Sequence, residues 1–265
     1  MDMDATDWKR YSLMKSRVID EIESMKLVLS SMSSQNSSSS ERVWKSSSDG
    51  EIDGDRLVDA LAGERMIFKK RVKRELKIGE KNNHPKRISI LLDISASMYR
   101  FDGVDGRLQR MSEVALMLME AFHQSSIVQQ QQQSTSDGTT EQTYLYELRG
   151  HTGDDASIVL VNWNEPPKTD KDRYAVIQSM QAYAQYCDSG DTTLEAVRCA
   201  VDSILEQGSS SSSGEDRLVL AFSDANLDRY GITSKQLTES VVYRKADKVS
   251  TYLFFIASFG DPVSY

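Results

Sequence analysis

The sequence predicts an α/β domain, doubly wound around a mainly parallel sheet that carries one antiparallel edge strand. Three observations lead there. From Lys86 onward, short apolar runs alternate with amphipathic stretches, the pattern of strands joined by crossover helices. Two of those runs, RISILLD and RLVLAFSD, are nearly continuous in apolar residues, as strands covered on both faces must be. A third pair, TYLYELRG and ASIVLV, is separated only by the polar turn HTGDD, so it reads as a hairpin.

The elements follow in order. Trp8, Tyr11, Met14, Val18, Ile22, Met25 and Leu29 recur at three- and four-residue steps, which predicts one helix over 7–29 with a single apolar face. SSMSSQNSSSS then reads as a low-complexity linker. Residues 49–85 form a charged arm. Within it, GEIDGDRLVDALAGE predicts a short helix that Gly63 stops, and IFKKRVKRELK a solvated strand or arm face. DGEIDGD lacks the alternating acids and closing Glu of a calcium loop.

The domain proper spans 86–265. After the strand RISILLD, helical spacing runs from Arg107 to Phe122 with Leu108, Met111, Ala115, Leu118, Met119 and Phe122 as a core face. A surface insert falls near 129–142, the hairpin follows it, and helices are predicted over 171–187 and 193–206. A second insert lies near 208–216. RLVLAFSD, a helix over 233–245 and the strand TYLFFIAS close the series.

Composition narrows the function. A net charge of −8 argues against a surface that binds nucleic acid as a whole. No apolar run reaches the ~20 residues that span a bilayer, and MDMDATDWKR has no secretory apolar region and no Arg-rich presequence character. The two cysteines, Cys187 and Cys199, make neither a disulfide framework nor a zinc site of their own. Reduced thiols fit an intracellular protein.

The chemistry concentrates at strand ends. RISILLD and RLVLAFSD each finish in a carboxylate, Asp93 and Asp224, and ligands of doubly wound sheets sit outside the carboxyl ends of strands. Asp93-Ile94-Ser95-Ala96-Ser97, Gly190-Asp191-Thr192-Thr193-Leu194 and Ser223-Asp224 could converge there. Their side chains offer only oxygen, which suits magnesium, manganese or calcium rather than zinc or copper. An Asp after a first strand is also the layout of a magnesium-dependent aspartyl-phosphate hydrolase with Asp93 as nucleophile. Such enzymes want a second acid two positions on, where this chain has Ser95. No GxSxG supplies a nucleophile elbow, and His84, His123 and His151 read as surface or capping residues.

D-x-S-x-S after the first strand, a Thr in a later loop and an Asp after the fourth strand resemble the metal-ion-dependent adhesion site (MIDAS) of von Willebrand factor A (vWA) domains. The resemblance covers about 88–260. It implies a Rossmann-like fold, no catalysis, and a divalent cation, Mg2+ or else Mn2+ or Ca2+, held by Asp93, Ser95, Ser97, Asp224 and Thr193. Thr192 is the alternative to Thr193; Thr193 is favoured because it precedes Leu194-Glu195-Ala196, where that loop enters its helix. It further implies a protein partner that offers a Glu or Asp to the metal. Many members have Gly where Ala96 and Ala225 stand, and neither change removes a ligand. The family usually continues with a sixth strand and a final helix, so the sequence is expected to be truncated after the fifth strand. SASMYRFDGVDGRLQRMSEVALMLMEAF, YCDSGDTTLEAV and SDANLDRYGI are similar to the C-terminal part of the von Willebrand factor A domain-containing protein 8 family. That similarity implies association with AAA+ ATPase modules and a mitochondrial location as an alternative to the cytoplasm. The chain itself has no GxxxxGK[ST] to cradle ATP phosphates.

Overall fold

A computed structural model describes residues 3–36, 42–47, 51–52, 68–73, 86–133, 144–188, 190–207, 216–224, 230–244 and 249–256. The chain divides into two compact units, Met1–Ser30 with His84–Tyr265, and Ser31–Asn83. The smaller unit holds a three-stranded antiparallel sheet. Its strands are β1 (Arg42–Ser47), β2 (Glu51–Ile52) and β3 (Phe68–Lys73), in the order β1-β3-β2. With a helix and Ser-rich linker expected over 1–48, no strand was anticipated where β1 lies; pairing with β3 supplies the backbone hydrogen bonds that composition alone does not reveal. The short helix expected near Leu57–Leu61 lies outside the described residues.

The larger unit is built on a five-stranded sheet. Its strands are β4 (Lys86–Asp93), β5 (Tyr144–His151), β6 (Ile158–Val161), β7 (Arg217–Ser223) and β8 (Val249–Phe255), in the order β6-β5-β4-β7-β8. β5, β4, β7 and β8 are parallel, and β6 runs antiparallel at the edge, with a register shift between Leu148 and Arg149. This is the predicted doubly wound, mixed sheet. β4 is central and buried along nearly its whole length, which explains its unbroken apolar run. Ile88, Ile90 and Leu92 pack on one face of the sheet, while Leu91 packs on the other against Ala196, Val197 and Ala221. By the same alternation Asp93 falls on the side of Leu91.

The helices of this unit are α3 (Ala96–Asp105), α4 (Arg107–Gln133), α5 (Asp170–Tyr186), α6 (Thr193–Glu206) and α7 (Ser234–Val241). Gly106, at φ 68°, ends α3 in the left-handed conformation that glycine adopts without strain, and its N–H returns to Asp102 O. α4 continues through Gln133, so the glutamine run begins as helix rather than insert. α7 is shorter than the expected 233–245 and starts at a Thr233/Gln236 capping box. The rest of the first insert, most of the second and the segment from 257 on lie outside the described residues.

The expected N-terminal helix is two, α1 (Ala5–Arg17) and α2 (Ile19–Asn36), broken at Val18. Its apolar face is largely as the spacing predicts: Tyr11, Val18, Ile22 and Leu29 are buried, although Trp8 stays half exposed. Tyr11 and Leu29 join the core that holds Ile90, Met111, Met119 and Ile177, so α1 and α2 as far as Ser30 are part of the α/β unit. Polar contacts add to the docking. Lys15 lies 2.9 Å from Glu120, Arg17 lies 3.3 Å from Glu113, and the Tyr144 hydroxyl donates to Leu29 O.

Candidate functional site

β4 and β7 are neighbours in parallel register, Leu92 opposite Phe222, so their carboxyl ends deliver Asp93 and Asp224 to the same edge. Here the winding reverses, because β4 has β5 on one side and β7 on the other. Asp93 is 1% and Asp224 4% exposed. Two buried carboxylates this close need donors or cations around them.

The donors come from two segments, the turn after β4 and the end of β7. One Asp93 oxygen, Oδ1, accepts the Ser95 N–H at 3.0 Å, which fixes the turn into α3. Its other oxygen, Oδ2, accepts the Ser223 hydroxyl at 3.2 Å and the Asp224 N–H at 3.4 Å. Ser95 and Ser97 share a hydrogen bond at 2.9 Å between their hydroxyls. Ser97 Oγ then donates to Asp224 Oδ2 at 2.8 Å. The alternation in DxSxS therefore turns Asp93, Ser95 and Ser97 toward one point, joined there by Asp224.

Thr192 and Thr193 behave differently. Thr192 directs its hydroxyl outward, to Thr152 O at 2.7 Å. Thr193 begins α6, is 1% exposed, and its Oγ1 has no hydrogen-bond partner among the described residues. A buried hydroxyl without a partner costs on the order of 1–3 kcal/mol. The donor set is wholly oxygen, two carboxylates and three hydroxyls, and that chemistry fits a hard cation such as Mg2+. Among the described residues no three His, Cys, Asp or Glu side chains gather as a ligand set, so the fit rests on hydroxyls as much as on charge.

Sequence reasoning missed two residues at the site, His151 and Arg107; Ser223, read there only as the neighbour of Asp224, contacts Asp93 directly. His151 ends β5 directly across from Asp93 in the register, is buried, and its Nδ1 has no partner among the described residues, so it is no surface histidine. Arg107 opens α4, is buried, and places Nη1 3.2 Å from Asp224 Oδ2. Its guanidinium also meets Asp105 and lies over the Phe101 ring, 5.2 Å from the centroid. The sequence does carry one signal for Arg107. A cation in a helix's first turn opposes the helix dipole, and a counter-charge elsewhere has to compensate it.

The loops that carry the site are in backbone contact. A Cβ on Gly153 would fall 2.4 Å from Asp188 O and from Gly190 N, and one on Gly190 would fall 2.3 Å from Gly153 O. Only glycine permits this approach, which holds the Thr192-Thr193 loop against the turn after β5. Gly153→Ala is therefore expected to destabilise the domain by about 2 kcal/mol or more. Gly103→Ala, inside α3 with nothing within 4 Å, should instead stabilise it by about 0.5–1 kcal/mol. Urea unfolding of the two variants checks both signs.

The surface around the site is concave and partly aromatic. A cleft of about 470 Å³ flanks the Thr152 turn, lined in part by Asp154, Asp155, Ile158, Tyr183 and Tyr186. Tyr99, Phe101 and Val104 of α3 are exposed beside the DxSxS turn. Burial raises the Cys187 thiol above its usual pKa, so this cysteine near Ile94 O is held neutral. No helix among the described residues is long and apolar enough to cross a membrane.

The chain aligns at 33% identity, over 261 residues, with von Willebrand factor A domain-containing protein 8 of Mus musculus. The aligned region is 98% of this chain and 12% of that protein. No family model matches the chain. Among solved structures it resembles the conserved hypothetical protein BatB of Bacteroides thetaiotaomicron, with a TM-score of 0.40 and 15% identity over 63% of this chain and 65% of that one. It also resembles an aerotolerance-related membrane protein of Bacteroides fragilis, with a TM-score of 0.38 and 13% identity over 63% and 66% of the two chains.

Proposed function

Because the chain is related along 98% of its length to one segment of the von Willebrand factor A domain-containing protein 8 family, we propose that it is a non-catalytic, cation-dependent protein-interaction module. Asp93, Ser95, Ser97, Thr193 and Asp224 would hold one divalent ion, best Mg2+. The observation that supports this reading is the linked all-oxygen cluster of Asp93, Ser95, Ser97 and Asp224, together with the buried Thr193 hydroxyl at the start of α6, which has no partner among the described residues. When bound, the ion supplies a positive centre with positions free of protein ligands, where a partner's Glu or Asp can complete the coordination. Nothing in the donor set has to move a proton for that task.

The surroundings support a protein partner rather than a small substrate. Tyr99 and Phe101 are exposed on α3, the helix that begins at the DxSxS turn, and exposed Tyr183 and Tyr186 line the cleft beside Thr152; exposed aromatic side chains are what protein interfaces favour. The protein would serve as the docking segment of a larger assembly. The AAA+ ATPase modules and the mitochondrial or cytoplasmic setting implied by the resemblance belong to this proposal.

Asp93 carries little of what a phosphoryl acceptor needs. Both its oxygens accept hydrogen bonds, and the residue two positions on is Ser95. Incubation with p-nitrophenyl phosphate and Mg2+ is therefore expected to give no turnover, while calorimetric titration of Mg2+ gives one site that Asp93→Asn abolishes. Phosphate release that disappears in Asp93→Asn would overturn the module and favour a phosphohydrolase.

A further inference from the structure

We infer that Arg107 is a resident counter-cation of this site, competing with the divalent ion for Asp224 and setting how tightly that ion binds. The inference rests on the cation reading above and goes beyond it, since it concerns a residue outside the ligand set. Asp93 and Asp224 are both buried, and two carboxylates at one strand edge repel each other unless a positive charge intervenes. The structure supplies one from the protein. Arg107 is 6% exposed and its Nη1 lies 3.2 Å from Asp224 Oδ2, the same oxygen that accepts the Ser97 hydroxyl. The side chain is preset for this position: Asp105 accepts its Nε, Asp105 Oδ1 accepts its backbone N–H at 3.2 Å, and Phe101 lies against the guanidinium plane.

The same oxygen cannot serve both cations at full strength. Arg107 keeps the cluster neutral enough to stay folded without metal, and a binding ion has to displace or share that contact. Affinity is then lower than the oxygen set alone would give, and the site responds to changes in cation concentration instead of remaining saturated. By linkage the effect runs both ways, so the ion loosens Arg107 as Arg107 weakens the ion.

Mg2+ titration of the full chain tests this, with Arg107→Gln and Arg107→Lys compared to wild type by calorimetry and by melting temperature with and without Mg2+. Loss of a unit charge a few ångströms from the ion predicts roughly tenfold or more tighter Mg2+ binding in Arg107→Gln, with affinity near wild type in Arg107→Lys. The Mg2+-induced rise in melting temperature should also be larger in Arg107→Gln, whose carboxylates lack compensation until the ion arrives. Should that variant not fold, phenylglyoxal labelling of wild type gives the answer by mass spectrometry, because Mg2+ should accelerate modification of Arg107. Equal affinities in wild type and Arg107→Gln, or labelling that Mg2+ leaves unchanged or slows, would overturn the role of Arg107 and leave the cation site standing. No Mg2+ binding in any of the three proteins would remove the site itself and this inference with it.

Discussion

Arg173→Met is expected to destabilise the larger unit by on the order of 3–5 kcal/mol, because it strips the counter-charge from a buried carboxylate. Arg173 lies at the centre of a network that joins α1, α4 and α5. Its Nε is 2.8 Å from Glu120 Oε1 and 3.1 Å from the Tyr11 hydroxyl, Nη1 donates to Pro167 O at 3.2 Å, and Nη2 pairs with Asp170. Glu120 is 1% exposed and also takes hydrogen bonds from Tyr11, Lys15 and Gln124. Burial alone would raise its pKa. The Tyr11 and Lys15 hydrogen bonds and the Arg173 charge more than offset this, holding it at about 2 against an ordinary 4.5.

That depressed value has a pH signature. A carboxyl whose folded pKa lies below its unfolded one contributes stability above the unfolded value, and the contribution disappears as pH falls toward the folded value. For Glu120 the window runs from about 4.5 down to about 2, and the shift corresponds to on the order of 3 kcal/mol. Urea unfolding at stepped pH should show wild type losing stability across that window, with a shallower slope in Glu120→Gln. At neutral pH, a cost below about 1 kcal/mol for Arg173→Met would mean that Glu120 is solvated after all.

Much of this fold is written in side-chain periodicity, and what is not depends on long-range placement. β4 and β7 were legible because strands covered on both faces must be apolar throughout, and each then ends in an acid whose charge stands out. β6 was legible as an edge strand because five residues between two strand-like runs permit a hairpin and no crossover helix. α3 was not read as a helix: Tyr99, Phe101 and Val104 are exposed, so it has no apolar periodicity to see. The break at Val18 escaped too, since Val18 keeps the apolar spacing while its backbone leaves the helix, and only its N–H to Lys15 O marks the end. The β-branched pair Val18-Ile19 is the local weakness that permits it. Glu120 was visible only as an acid in a Met-rich helix. Its partner lies 53 positions away, and no local rule links the two. The same limit applies at the site. Asp93, Ser95, Ser97 and Asp224 were readable as a pattern, with Ser223 beside Asp224, whereas His151 and Arg107 acquire their positions only when the strands align.

Folding gives the two threonines different surroundings. In sequence they are neighbours with equal chemistry. In the structure Thr192 is engaged with Thr152 O, and of the two it is Thr193 whose buried hydroxyl has no partner among the described residues. A protein with no ligand at this point gains nothing from keeping that hydroxyl, and valine would fill the same volume without the desolvation cost. A protein that binds a cation there needs the oxygen.

Thr193→Val therefore separates the two cases, and Mg2+ titration of wild type and Thr193→Val, with the melting temperature of each metal-free protein, tests the central claim most directly. The expected result is a metal-free melting temperature equal to or above wild type, together with a loss of Mg2+ affinity of about tenfold or more, corresponding to at least about 1.4 kcal/mol. Identical Mg2+ affinity in the two proteins, or no Mg2+ binding in wild type, would contradict it.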